Sequence, residues 1–205
     1  MSEHLNETYD RIYSKKEFTY GEGKPAEIVV TAIEHCKHGK ALEIGAGEGR
    51  NSLFLASEGF QVTAVDLSEV GINKLKSKLE ENNLSAETIV SDINKFDFQT
   101  DYDLIISTVT LFHLTEEKAL DLIDKIKFHT TEDGLNVLTT FTEESEFYTL
   151  KHGENEFYFK PNQLKELYSD WEIVKYEEEK VQANKKKQDG SLMVNTIARI
   201  IARKK

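Results

Sequence analysis

The chain is poorest in the residues that build covalent or metal-clamped structures. Cys36 is the one cysteine among 205 residues, which excludes an intrachain disulfide, an iron–sulfur cluster and a thiolate zinc site, and fits a reducing, cytoplasmic setting. The six histidines form no His-x-His or His-x-x-x-His pair. His35 and His38 could share a helical face, but they run into a Gly-Lys turn and read more simply as a solvated helix end, so no metal is expected. Two prolines, Pro25 and Pro161, leave no proline-rich linker. No apolar run approaches the roughly 18 residues of a membrane span. The opening MSEHLNETYD has neither a basic region nor an apolar stretch, so no export signal is expected. Positive charge is also scarce. Lysine and arginine total 26 against 37 aspartates and glutamates, a net charge of −11 that repels phosphate backbones and anionic membrane surfaces. Neither a nucleic-acid nor a membrane partner is expected.

What remains is sufficient for one core. Hydrophobic residues make up 39% of the chain, with eleven Phe and eight Tyr, and the length suits one domain, 1–205. Its first 23 residues read as an N-terminal lid or capping segment. Along the chain, strand-like runs alternate with amphipathic segments. Ile28, Val29, Ala32 and Ile33 recur at helical spacing, Ala41 to Ile44 is a short apolar strand, and Asn51 to Ser57 is a helix stopped by Gly59. Gln61 to Val65 is a strand ending in Asp66, and Ser68 caps a helix reaching about Glu81. Thr88 to Val90 and Leu104 to Ser107 read as buried strands. Thr115 caps a helix to about Phe128, Asp133-Gly134 turns the chain into a strand from Leu135 to Phe141, and Pro161-Asn162 opens a further helix. Trp171 to Tyr176 and Met193 to Ala202 are strands around a hairpin loop holding Lys185-Lys186-Lys187 and Asp189-Gly190. This is an α/β pattern. It gives a parallel sheet with helices on both faces, with ligands bound beyond the carboxyl ends of the strands.

The strongest motif stands after the first strand: Glu43-Ile44-Gly45-Ala46-Gly47-Glu48-Gly49-Arg50-Asn51. Glycines here permit positive φ and let a nucleotide-like cofactor approach main-chain N–H groups. Asp66 ends the next strand, 21 positions after Gly45, where a carboxylate accepts hydrogen bonds from the ribose hydroxyls of an adenosine-containing ligand. A dinucleotide fingerprint, GxGxxG, needs glycine at position 50, where Arg50 stands; the pattern is ExGxGxG instead.

This loop resembles motif I of the class I S-adenosylmethionine-dependent methyltransferases. The resemblance implies their Rossmann-like fold, a seven-stranded, mostly parallel sheet with a C-terminal antiparallel hairpin, and S-adenosylmethionine as cofactor. It implies a cofactor site of Glu43, Gly45, Ala46, Gly47, Arg50 and Asn51 at the loop, with Asp66 and Leu67 at the ribose. Asp92 and Ile93 would approach the adenine, and Ser107 and Thr108 the reacting methyl. Amino-methylating nucleic-acid enzymes carry an Asp/Asn-Pro-Pro-Tyr motif after the fourth strand, and cytosine-C5 enzymes a later cysteine. This chain has neither, so a small molecule is the expected acceptor.

Further stretches are similar to the tellurite-resistance methyltransferases of the TehB type: Gly49-Arg50-Asn51-Ser52-Leu53, Tyr102 to Val109, Phe157 to Tyr168 into Trp171-Glu172, Val174-Lys175-Tyr176 and Ala202 to Lys205. That family implies transfer of a methyl group to tellurite or selenite, or to thiol-like nucleophiles. Where it carries a His-Arg pair in the C-terminal hairpin, this chain has Asn184-Lys185, with Leu192 in place of a later arginine. A lysine offers a point charge rather than a bidentate fork, and the histidine base is gone. The acceptor is therefore left open between an oxyanion and a thiol. Candidate groups on the acceptor side are Tyr20, with Tyr9, Tyr13 and Phe18 as lid aromatics; His113 as an orienting group or base; and Lys185 as an anion guide. Tyr9 and its neighbours serve equally as staples for the N-terminal segment, while His113 reads more simply as a partly buried structural histidine between Phe112 and Leu114. Two other functions stay open: a non-catalytic S-adenosylmethionine sensor and a nicotinamide-dependent oxidoreductase.

Overall fold

A computed structural model describes residues 2–15, 21–150 and 156–205; the side chains of 2–4 and 184 lie outside that description, as do Phe18 and Tyr20. Strands β1 (Lys40–Ile44), β2 (Gln61–Asp66), β3 (Glu87–Val90), β4 (Tyr102–Thr108), β5 (Thr130–Phe141), β6 (Glu172–Lys186) and β7 (Leu192–Arg203) form one sheet, in the order β3-β2-β1-β4-β5-β7-β6. β1 to β5 run parallel, while β7 is antiparallel to both β5 and β6. Strand order reverses between β1 and β4, which opens a crevice beyond their carboxyl ends.

Alternation along the strands divides the core in two. On one face Leu42, Ile44, Ile105 and Leu138 pack on Leu122, Ile123 and Ile126 of α5 (Glu116–Phe128). On the other, Ala41, Leu104, Ile106 and Val137 meet Ile28 and Val29 of α2 (Glu27–Ile33), Leu55 of α3 (Arg50–Ser57) and Leu75 of α4 (Glu69–Glu81). The expected caps form: Ser68 Oγ accepts from Gly71 N at 3.0 Å and Thr115 Oγ1 from Lys118 N at 3.4 Å.

Several expectations need correction. β3 is an edge strand and only half-buried, with Val90 47% exposed, because neither its outer edge nor both its faces are covered. Asp133, at φ 62°, does not precede β5 but lies inside it, where the pairing with β4 shifts register between Tyr102 and Leu104. Pro161-Asn162 opens a single turn, α7 (Gln163–Glu166). The final hairpin is longer than its apolar parts suggest: β6 continues through charged residues to Lys186, held by main-chain pairing with β7. Lys185 is thus an exposed strand residue and not part of the loop. Two elements lie outside the sequence-based expectations: α1 (Ser2–Tyr13), a mostly polar helix whose Leu5, Tyr9, Ile12 and Tyr13 recur at helical spacing, and the five-residue α6 (Glu146–Leu150).

Candidate functional site

Beyond the carboxyl ends of β1, β2 and β4 lies a cavity of about 630 Å³, a size suited to a cofactor with a small second ligand. Its floor is the glycine loop. Gly45 and Ala46 both donate to Val65 O, at 2.8 and 3.0 Å, so the loop turns back over β2. Gly45 sits at φ 75° and Gly47 at φ 56°. A Cβ on Gly45 would lie 2.0 Å from Thr110 Oγ1, and one on Gly47 2.5 Å from Tyr13 Oη. Both positions therefore need glycine on two grounds, backbone conformation and close approach.

Asp66 turns its carboxylate onto the same loop. Oδ2 accepts from Gly47 N at 2.7 Å and Oδ1 from Ser68 N at 2.8 Å. Burial raises its pKa; these hydrogen bonds lower it, and the Asp10 carboxylate adds to the rise. Asp92 caps the 3₁₀ turn Ile93–Lys95, accepting from Asn94 N at 3.0 Å.

Glu43 is 1% exposed and lies on the α3 face of β1. Its Oε1 accepts from Asn51 Nδ2 at 2.8 Å and its Oε2 from Ser52 Oγ at 2.5 Å. Asn51 in turn accepts from Ala26 N at 2.8 Å, so one buried polar group ties β1, α3 and the start of α2 together. Burial lifts the Glu43 pKa to about 7, against the hydrogen bonds from Ser52 and Asn51 and the charge of Arg50. Arg50 has its pKa lowered by burial and raised by Glu43 and Tyr13. Glu48, 6% exposed, pairs with Lys74 Nζ at 2.8 Å and fixes the loop to α4.

The Glu43 shift has a stability consequence with a definite sign. The folded state binds this proton more tightly than the unfolded chain, whose value is near 4.5. Its contribution is therefore fully present below pH 4.5 and is lost as pH rises through about 7. Glu43→Gln should flatten the fall in stability across that window, as measured by denaturant titrations at a series of pH values. An unchanged slope would place the titration elsewhere.

The other wall comes from the N-terminus and the segment after β4. Helix α1 docks on α4 and the glycine loop: the Asp10 carboxylate accepts from Ser68 Oγ and Val70 N, and Tyr13 is 6% exposed. Tyr9 Oη lies 2.6 Å from His113 Nε2. Burial alone pushes the His113 pKa down to about 4, so the imidazole is neutral at pH 7.

The cavity wall includes Glu43, Gly45, Ala46, Gly47, Arg50 and Asn51, together with Asp66, Leu67, Asp92, Ile93, Thr108 and His113. It does not include Ser107. Strand alternation sets Leu104, Ile106 and Thr108 on the α3 face and Ile105 and Ser107 on the opposite one, where Ser107 is 0% exposed. Lys185 does not line the cavity either; its Nζ lies 6.0 Å from the ring of Phe147, which does. Tyr20 is outside the described residues. Sequence reasoning missed Leu5, Phe112, Phe141 and Phe147 in the wall, all apolar residues that carry no motif. Among the described residues no group of three or more metal-ligating side chains converges, and no helix is long and apolar enough to cross a membrane.

Sheet order, the glycine loop after β1 and the carboxylate closing β2 together define a Rossmann-like α/β protein with the class I methyltransferase fold. The solved structure of TehB from Haemophilus influenzae superposes with a TM-score of 0.80 at 32% identity, covering 96% of this chain and 67% of that one. The N-methyltransferase NodS from Bradyrhizobium japonicum, solved with S-adenosylhomocysteine, shares the fold at a TM-score of 0.68 and 16% identity, covering 96% and 97%. The family model for tellurite resistance protein TehB matches residues 7–200. A probable S-adenosyl-L-methionine-dependent methyltransferase TehB of H. influenzae is 34% identical over 177 residues, 86% of this chain. The chain belongs to the TehB family. It spans about 61% of the length of that curated relative.

Proposed function

We propose that this chain is an S-adenosylmethionine-dependent methyltransferase acting on a small-molecule acceptor. The observation that carries the reading is the cradle itself, a loop whose Gly45 and Gly47 hold positive φ packed against Thr110 and Tyr13, beside a carboxylate fixed by two backbone N–H groups. Asp66 would accept from the ribose hydroxyls, Asp92 and Ile93 would flank the adenine, with Leu67 beside them, and Gly45, Ala46 and Gly47 would lie along the methionine part. Arg50 would meet the carboxylate of that part. Glu43 and Asn51 hold the loop in shape from below, and Thr108 lies at the sheet end where transfer would occur. The cofactor supplies a methyl group activated by a sulfonium charge. The protein's task is then to align a nucleophile with that methyl and to exclude water, which the α1 wall favours.

A small acceptor suits a net charge of −11, which disfavours a polyanion. Family membership makes tellurite and selenite the first acceptors to assay, with thiols and amines beside them. Incubation with methyl-labelled S-adenosylmethionine should give labelled product with at least one of these, together with S-adenosylhomocysteine. Tight cofactor binding with no transfer to any acceptor would instead indicate a sensor.

A further inference from the structure

The rings around the cavity form a continuous file. Tyr13 lies against Gly47. From its centroid the steps are 5.6 Å to Tyr9, 5.3 Å to His113, 3.8 Å to Phe112, 5.0 Å to Phe141 and 5.8 Å to Phe147. All six residues line the one cavity. The file starts at the glycine loop and ends on α6, and within it two polar groups meet, Tyr9 Oη and His113 Nε2 at 2.6 Å.

Such a wall discriminates between acceptors. An oxyanion is strongly hydrated and must be met by cations or several donors when it leaves water. Among the described residues lining the cavity, the lysine and arginine side chains are Arg50, beside Glu43 and Gly21 at the glycine-loop end, and Lys118, exposed on α5. Neither belongs to the aromatic file; at its outer end Lys185, which does not line the cavity, holds its Nζ 6.0 Å from the ring centroid of Phe147. A thiol gives up little hydration, and its sulfur packs favourably on aromatic edges. It also releases its proton more readily, at a pKa of about 8.5, than a phenol at about 10 or an alkylammonium at about 10.4.

We infer that Tyr9 and His113 receive the acceptor's proton, and that the acceptor is an uncharged thiol carried on an apolar or aromatic body. The inference rests on the methyltransferase reading above. The acceptor sulfur uses a lone pair to bond the methyl carbon, while the methyl–sulfonium bond breaks and its electron pair stays on the cofactor sulfur. The S–H bond breaks as well. Its proton passes to Tyr9 Oη, which hands its own proton to His113 Nε2, leaving a methyl thioether, the demethylated cofactor and an imidazolium that later releases the proton to water. The reacting groups together carry one positive charge before and after the step, first on sulfonium and then on imidazolium. The burial that keeps the free imidazole neutral is therefore offset by the charge that leaves.

The test uses the full chain and its Tyr9→Phe and His113→Phe variants, with phenylmethanethiol, thiophenol, selenite and tellurite as acceptors. S-adenosylhomocysteine binding by calorimetry should stay within about twofold in both variants. Turnover of phenylmethanethiol should fall about 100-fold, the low end for loss of a positioned acid–base group. Thiophenol, more acidic and largely ionised at neutral pH, should lose less than about tenfold. Independently of turnover, the His113 ring-proton NMR signals should shift when phenylmethanethiol is added to the S-adenosylhomocysteine complex. Equal losses for the two thiols would overturn the proton-receiving role. Failure of either thiol to bind or react, with selenite or tellurite methylated normally by both variants, would overturn the acceptor class. If the wild-type chain bound no S-adenosylhomocysteine, the methyltransferase reading itself would fail.

Discussion

Gly45→Ala is expected to abolish detectable cofactor binding and to lower stability by about 2–5 kcal/mol. Two costs add. The alanine must hold a left-handed backbone, which costs roughly 1–2 kcal/mol. Its Cβ also falls 2.0 Å from Thr110 Oγ1 and 2.8 Å from Thr110 Cγ2. Threonine is short and β-branched, and its hydroxyl donates to Ile44 O at 3.2 Å, so it cannot swing aside without breaking that bond. Overpacking of this kind typically costs about 1–3 kcal/mol. For a domain of this size each kcal/mol lowers the melting temperature by about 2–4 °C. Adding Thr110→Gly should recover the packing part and leave the backbone part, a separation that a double-mutant cycle reads directly. A Gly45→Ala protein with unchanged melting temperature and affinity would mean that the loop adjusts freely and that its contact with Thr110 is incidental.

Asp66→Ala should weaken S-adenosylmethionine affinity by about 1–3 kcal/mol, roughly 5- to 150-fold, through lost charge-assisted hydrogen bonds. The carboxylate also accepts from Gly47 N and Ser68 N, so its removal loosens the loop as well as the ribose contact. Asp66→Asn separates the two effects, since an amide oxygen keeps one acceptor while losing the charge. Calorimetry at fixed salt should rank wild type, then Asn, then Ala. Equal affinity in all three would place the ribose elsewhere.

The glycine loop and Asp66 are legible in the sequence because each needs a particular residue type at one place. Glycine alone tolerates φ 75° under Thr110, and a carboxylate ending β2 lies at the crevice by topology alone. The seven-stranded sheet is legible only through the family resemblance that this loop and the stretches from Tyr102 onward carry, and the observed strand order agrees with it. Ser107 falls one residue out of phase: its parity is set by where β4 meets β1, with Ile44 opposite Ser107, and the ends of an apolar run do not reveal it. Lys185 falls in a strand rather than a loop because β6 is extended by main-chain pairing and not by apolar alternation. The pairing of Tyr9 with His113 joins residues 104 positions apart, across an N-terminal helix made mostly of polar and charged residues. The helical spacing of Leu5, Tyr9, Ile12 and Tyr13 is the local hint that these residues share one face. Phe112, Phe141 and Phe147 read as ordinary core aromatics, and only their convergence on one cavity distinguishes them.

A crystal structure of the chain with S-adenosylhomocysteine tests the central claim most directly. The expected result is a ligand in the 630 Å³ cavity, its ribose hydroxyls bonded to Asp66, its adenine beside Asp92 and Ile93, and its sulfur turned toward Thr108 and the Tyr9–His113 pair. A ligand bound outside the cavity, or one whose ribose does not reach Asp66, would contradict the account.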